Sequence, residues 1–235
     1  MIAAGTTETV DADYVKPARF IDSDHPAVAA FAARAAAHAS EPVSAAVRLY
    51  YAVRDEILYD PYVPSDDLDT YRASAVLAKG RGYCVGKASL LAAAARALGI
   101  PARVAFADVR NHLATPRLLQ LIGTDIFIYH GITELWLDGR WVKATPTFNL
   151  TLCEKFRIRP LDFDGRADAV FHPFDRDGRQ HMEYLRQRGS FPDVPVDIIM
   201  PAMLATYPRL VELNKAPGGD FAKEAEEQAT ASPRS

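Results

Sequence analysis

Two residues in this chain have the type and the setting to do chemistry. Cys84 stands in "GRGYCVGKASLLAAAARALGIPAR" (residues 80–103), and His130 stands in "IFIYHGITELWL". The thiol follows a glycine pair, Gly80 and Gly82, and opens an alanine- and leucine-rich run. At a helix N-terminus, unpaired backbone N–H groups and the helix dipole stabilise a thiolate and lower its pKa. The backbone amides at Cys84 and the residues after it could also donate to a developing oxyanion, with Tyr83 beside them and Gly82 leaving space for a substrate carbonyl. The competing reading is a small apolar residue at the start of a core helix, because cysteine is among the most often buried residue types. The segment alone leaves both open.

A thiol nucleophile works with an imidazole that takes and returns a proton. Of the six histidines, His25, His38, His172 and His181 read as surface or structural residues. His130 lies in a strand pattern and is followed by Gly131, which would clear room beside the ring for substrate; a hydrogen-bonded structural histidine is the alternative. "ADVRNHLATPRL" places Asp108, Arg110, Asn111 and His112 in five positions. There Arg110, Asn111 and His112 form either a substrate loop or a self-bonded turn.

These residues need elements to position them. "PAVAAFAARAAAHAS" predicts a helix over about 26–39, and "SAAVRLYYAVRDEILY" a second over about 43–58. A short helix follows near 73–78. The run opened by Cys84 reads as a helix of about sixteen residues, with Gly99 and Pro101 as its stop signal. The period then changes. "ARVAFADV" predicts a strand over 102–109, and "DIFIYHGITELWLDGRWVKATPTF" a hairpin about Asp138-Gly139. Helices first and an antiparallel sheet second mark an α+β domain. Beyond Leu150 the pattern weakens, although "VDIIMPAMLATYPRLVEL" could form a proline-interrupted helix. The expected organisation is an N-terminal extension over 1–25, one domain over 26–213, and a flexible tail over 214–235, where few large apolar groups repay ordering entropy.

"GYCVGKASLLAAAARALGIPARV" and "YHGITELWLDGRWVKATPTFN" together resemble the core of the transglutaminase-like superfamily of papain-like cysteine enzymes. In that family Gly-x-Cys opens a helix ending in a Gly-Ile-Pro-Ala-Arg turn. A His-x-x-x-Glu strand and a hairpin follow, leading to Trp-x-x-x-Asp-Pro-Thr. The resemblance covers about Ala73–Asn149. It implies that Cys84 is the nucleophile and His130 the base, with Glu134, Trp141, Pro146 and Thr147 at flanking motif positions. It departs from the family at one place: "WVKATPT" puts Thr145 where the family has aspartate. Such an aspartate accepts from the histidine Nδ1–H and stabilises the imidazolium. Threonine can accept that hydrogen bond and so orient His130, but supplies no charge. Three outcomes are compatible with Thr145: a carboxylate arriving from elsewhere, with Asp108 the nearest candidate by pattern; a Cys–His dyad; or a site without catalysis.

Two further residues bear on Cys84. Lys87, one turn on, could favour the thiolate or simply be an exposed helix lysine. Cys153 could fold back towards the site, although a packed apolar cysteine is the simpler reading. The acidic stretch "DFDGRADAVFHPFDRDG" does not fit the twelve-residue calcium loop. No metal or cofactor is expected.

The 27 basic and 30 acidic residues are spread along all 235 positions without a lysine/arginine stripe, which argues against a nucleic-acid partner. The two cysteines are too few for a disulfide framework, and no window is long and apolar enough to span a membrane, so a cytoplasmic protein is expected. The resemblance implies a cysteine enzyme acting on peptide or amide bonds through a thioester, with hydrolysis favoured over cross-linking. The substrate would be a peptide or protein. The alternative is a binding module that keeps the fold and uses the cleft for a peptide or partner protein. The oligomeric state is not legible.

Overall fold

The computed structural model describes residues 10–112, 114–171, 174–207, 209 and 220–231. Four helices come first: α1 (Pro26–Ala35), α2 (Pro42–Glu56), α3 (Ala73–Lys79) and α4 (Cys84–Ala97). Pro26 and Pro42 each occupy a first helical turn, where a missing N–H costs nothing. Two short parallel strands, β1 (Leu58–Tyr59) and β2 (Arg81–Gly82), tie the end of α2 to the residues before Cys84. The main sheet is antiparallel in the order β5-β4-β3-β6: β3 (Ala102–Asn111), β4 (Ile126–Leu137), β5 (Arg140–Ala144) and β6 (Met182–Phe191). The fold is α+β, as the sequence implies.

α4 is the central element. From Val85 to Arg96 every side chain is buried, so the helix needs no polar face. Leu90 and Leu91 are fully enclosed, and such leucines contribute about 1.5–3 kcal/mol each. The helix stops at Leu98; Gly99 takes φ 73°, and Ile100 donates to the Ala95 carbonyl. The Asp138-Gly139 turn likewise has positive φ at both residues, as a two-residue hairpin loop requires.

Lys87 is not the exposed lysine that helical position suggests. It is fully buried, and its Nζ donates to the carbonyls of Arg54 (3.0 Å) and Ile57 at the end of α2. Burial lowers its pKa to about 7. Its role is to satisfy the orphan carbonyls of α2.

Three connecting helices lie around the sheet: α5 (Pro116–Ile122), α6 (Leu150–Phe156) and α7 (Val196–Thr206), the last with Pro201 inside it. The expected domain limits need two corrections. Residues before Pro26 are not an appendage: Phe20 and Ile21 are buried, and both donate backbone N–H groups to Asp193. The C-terminal stretch is not all flexible tail, because α8 (Phe221–Ala231) docks against α6. Phe221 and Ala225 are buried there, with the Phe221 ring 5.5 Å from Tyr59 and Phe156. One aromatic ring, Phe221, supplies the apolar area that anchors this helix. The expectations for 1–9, His172, the end of the proline-interrupted helix at 210–213, and 214–219 and 232–235 lie outside the described residues.

Candidate active site

Cys84 is the first residue of α4. Its N-cap, Tyr83, makes no side-chain hydrogen bond to the first turn. The N–H groups of Gly131, Val85 and Cys84 itself are directed at the sulfur and favour the thiolate. Burial opposes them and is the larger effect: the thiol is pushed up to about 11. The resting group is therefore a thiol, not the low-pKa thiolate that helix position alone suggests.

His130 reaches the same place from β4. It lines one pocket with Cys84, Tyr83, Asn111 and Thr147. Gly131 allows this approach. A Cβ there would lie 2.8 Å from Val85 Cα and 3.0 Å from the Cys84 carbonyl oxygen, so only glycine lets β4 lie directly on the first turn of α4. Gly131 thus makes room for the nucleophile helix and not for substrate. Gly82 behaves similarly: it is buried, and a Cβ would lie 3.0 Å from Val76.

The imidazole is buried, its ring packs 5.1 Å from that of Phe171, and its Nε2 has no hydrogen-bond partner. Loss of solvation pushes its pKa down to about 3. At neutral pH Cys84 is a neutral thiol and His130 a neutral imidazole, both lining one pocket.

Thr145, the residue in the expected aspartate position, does not orient His130. Its hydroxyl is buried beside Tyr184 and makes no hydrogen bond of ordinary geometry, and its backbone is tied to Ala169 (3.0 Å) and Tyr50. Neither candidate carboxylate replaces the acid. Asp108 is held by Arg188 at 2.7 Å and accepts from the Tyr129 N–H. Glu134 is held by Arg103 at 2.6 Å and accepts from Ser190 Oγ. Asn149 is also committed, accepting from the Tyr59 N–H and donating to Thr151. Among the described residues, no carboxylate bonds to the imidazole.

Of the three end-of-strand candidates, only Asn111 lines the Cys84 pocket. Arg110 pairs with Glu183 and Asp125, and His112 lies 3.7 Å from Glu183 outside that pocket. Cys153 is buried on α6, with its Sγ 3.7 Å from the Phe148 carbonyl, and is a packing residue. The described residues contain no cluster of His, Cys, Asp or Glu able to hold a metal ion, and no helix among them is long and apolar enough to cross a membrane.

Sequence reasoning missed Tyr129, which precedes His130 with φ 54°. Here Ile128 and Tyr129 oppose Asp108 alone, forming a bulge at the base of the histidine. It also missed Phe171, Met203 and Tyr207 as pocket walls. The sequence carries no signal for them, since contacts between distant segments create the pocket.

A solved structure from Cytophaga hutchinsonii, whose name assigns it provisionally to the cysteine proteases, is similar at 17% identity with a TM-score of 0.44. The alignment covers 77% of this chain and 55% of that one, so this chain spans about half its length. No curated protein matches. The model of the transglutaminase-like superfamily matches residues 29–146, half of the chain, and that span carries both Cys84 at the head of α4 and His130 on β4. On that match, the chain belongs to the transglutaminase-like superfamily.

Proposed function

We propose that this protein is a cysteine-dependent amide hydrolase that works with a Cys84–His130 dyad. The observation that carries the reading is the opening of both side chains into one pocket, with three backbone N–H groups directed at the sulfur. His130 would take the thiol proton as Cys84 Sγ attacks the substrate carbonyl. The C–N bond then breaks, the proton passes to the leaving amine, and a thioester remains on Cys84. Water, deprotonated by His130, releases the acid and restores the thiol. The N–H groups at the start of α4 are placed to stabilise the oxyanion. A thiol is nucleophilic enough for a dyad to work without a third member, though more slowly. Hydrolysis is preferred to cross-linking because nothing around the sulfur selects an amine over water. A peptide or protein substrate and a cytoplasmic location belong to the same proposal.

The test is intact-mass analysis of the protein mixed with activated peptide esters and amides, alongside hydrolysis assays. A hydroxylamine-sensitive adduct on Cys84 is expected, with hydrolysis lost in Cys84→Ala and reduced at least a hundredfold in His130→Gln. If Cys84→Ala leaves every measured hydrolysis unchanged, the enzyme reading is lost. A second reading, a binding module using the same cleft, is favoured by the commitment of Asp108 and Glu134 to arginines. It predicts peptide binding with no adduct.

A further inference from the structure

The pocket that Cys84 lines is mostly apolar, with few free polar groups on its wall. On its wall His130 Nε2 and Thr147 Oγ1 are both buried and without hydrogen-bond partners. Such orphan groups are costly unless a ligand or solvent meets them. Leu118 and Ile122 of α5 and Met203 and Tyr207 at α7 supply apolar wall. The Tyr207 hydroxyl is already spent, accepting from the Ile128 N–H at 2.7 Å and donating to the Ile126 carbonyl at 3.0 Å. Among the described lining residues none is Asp, Glu, Lys or Arg. Asn111 and Ser65 also line the pocket, and both already have partners within the protein.

Part of this wall lies outside the superfamily match. Phe148, Phe171, Met182, Met203 and Tyr207 all lie beyond the last residue of the superfamily match. The shared core supplies the thiol and the imidazole, while later residues decide what fits beside them.

We propose that the acyl side of the substrate is apolar: the residue whose carbonyl Cys84 attacks carries an aliphatic or thioether side chain of leucine or methionine size, seated between α5 and α7. The cavity of about 80 Å³ is well above the roughly 10–15 Å³ that a single water needs, so it takes a group larger than water. A lysine or aspartate side chain would leave an unpaired charge there, and a glutamine side chain an unsatisfied carboxamide. The carbonyl end, in contrast, meets the Thr147 hydroxyl and the imidazole. This inference rests on the hydrolase reading for its chemistry, but the selectivity of the pocket can be measured without turnover.

The probes are N-acetyl-Xaa-4-nitroanilides and the matching N-acetyl-Xaa amides, with Xaa leucine, methionine, glutamine, lysine or aspartate. The expected result is kcat/KM at least tenfold higher for leucine and methionine than for the other three. Calorimetric binding of the amides to Cys84→Ala should follow the same order. Met203→Glu, with folding checked by circular dichroism, should reduce the leucine advantage at least tenfold; if it does not fold, Met203→Trp, which fills the cavity, should do the same. A flat order, or glutamine or a charged residue first, overturns the proposal even if hydrolysis occurs. If the wild type cleaves nothing, the hydrolase reading fails, and the binding order on Cys84→Ala decides this inference alone. Failure of every amide to bind overturns it.

Discussion

The Asp108 carboxylate accepts a hydrogen bond from the backbone N–H of Tyr129 at 3.2 Å, one residue before His130. Arg188 holds the same carboxylate through three contacts of 2.7–3.0 Å and stacks its guanidinium 4.8 Å from the Tyr129 ring centre. Asp108, the nearest substitute for the missing acid, thus serves the backbone of the histidine and not its ring. A tyrosine at φ 54° is strained and needs such support. Asp108→Ala should cost on the order of 3 kcal/mol in urea unfolding and lower kcat with little change in KM. Glu134→Ala, which breaks the comparable pair with Arg103 on the same strand, should lower stability without that loss of kcat. Equal loss of kcat in both variants would sink the positioning role.

Gly131 makes a sharper prediction, because the atoms it would meet are backbone and cannot rotate away. A single methyl group there meets Val85 Cα at 2.8 Å and the Cys84 carbonyl oxygen at 3.0 Å. Gly131→Ala must push β4 away from α4, separating the imidazole from the thiol. We expect destabilisation of about 1–3 kcal/mol, measured by thermal or urea unfolding. Hydrolysis should fall more than that loss of folded protein explains. Gly139→Ala, strained by its φ of 80° but with nothing near a new Cβ, is the control that should reduce stability alone.

Where local pattern and final contacts agree, the fold was legible: α4 with its Gly99 stop, the Asp138-Gly139 hairpin and the strand carrying His130 follow directly from residue type and period. β6 was not, because it is a mostly exposed edge strand whose burial does not alternate. Lys87 read as a surface lysine because only the fold brings the carbonyls of α2 to it. The shared pocket of Cys84 and His130 was legible through the ordered spacing of the motifs. Its electrostatics were not, since helix position promised a lowered thiol while burial, which depends on the whole fold, raises it.

Burial of His130 has a consequence for stability against pH. Its pKa falls from 6.5 to about 3 on folding. Above 6.5 the ring is neutral in both states and pH has no effect through this group. Between 6.5 and about 3 the unfolded chain takes up the proton while the folded chain does not, so stability falls as pH falls. The loss through this one group should be on the order of several kcal/mol. Urea midpoints across this range should show a shallower slope in His130→Gln than in the wild type. Parallel curves would mean that the ring is solvated and protonates in the native state.

The thiol works with the opposite sign. Its pKa is raised from 9.0 to about 11, so at pH 7.5 the folded protein holds about a hundredfold less thiolate than a free thiol. Alkylation of Cys84 by iodoacetamide, followed in Cys153→Ser, should be slow at neutral pH and climb until well above pH 9. In the proposed mechanism, reaction with a carbonyl substrate should not follow that curve, because His130 would remove the proton during attack. A thiol that alkylates fastest near pH 7 would instead indicate a preformed thiolate–imidazolium pair.

α8 packs against Tyr59 of the pocket wall and against residues next to that wall. Glu224 Oε2 accepts from Tyr62 Oη at 2.5 Å and from Thr115 Oγ1 at 2.9 Å, while Arg117 reaches the other oxygen at 3.3 Å. Tyr62 lies between the lining residues Pro61 and Val63, and Thr115 is the N-cap of α5, whose Leu118 and Ile122 form the apolar wall. One carboxylate therefore joins the two sides of the pocket, with Phe221 packed on Tyr59 and Tyr62 beside it. Glu224→Gln keeps the shape but weakens the charged bonds, and Phe221→Ala removes the anchor. Both should raise KM for a leucyl substrate several-fold while kcat changes less, because neither touches Cys84 or His130. The decisive comparison is with Lys155→Ala, which breaks the exposed ion pair of α6 with Glu226 and should leave KM unchanged. Losses confined to kcat, or equal effects in all three variants, would show that α8 does not shape the pocket.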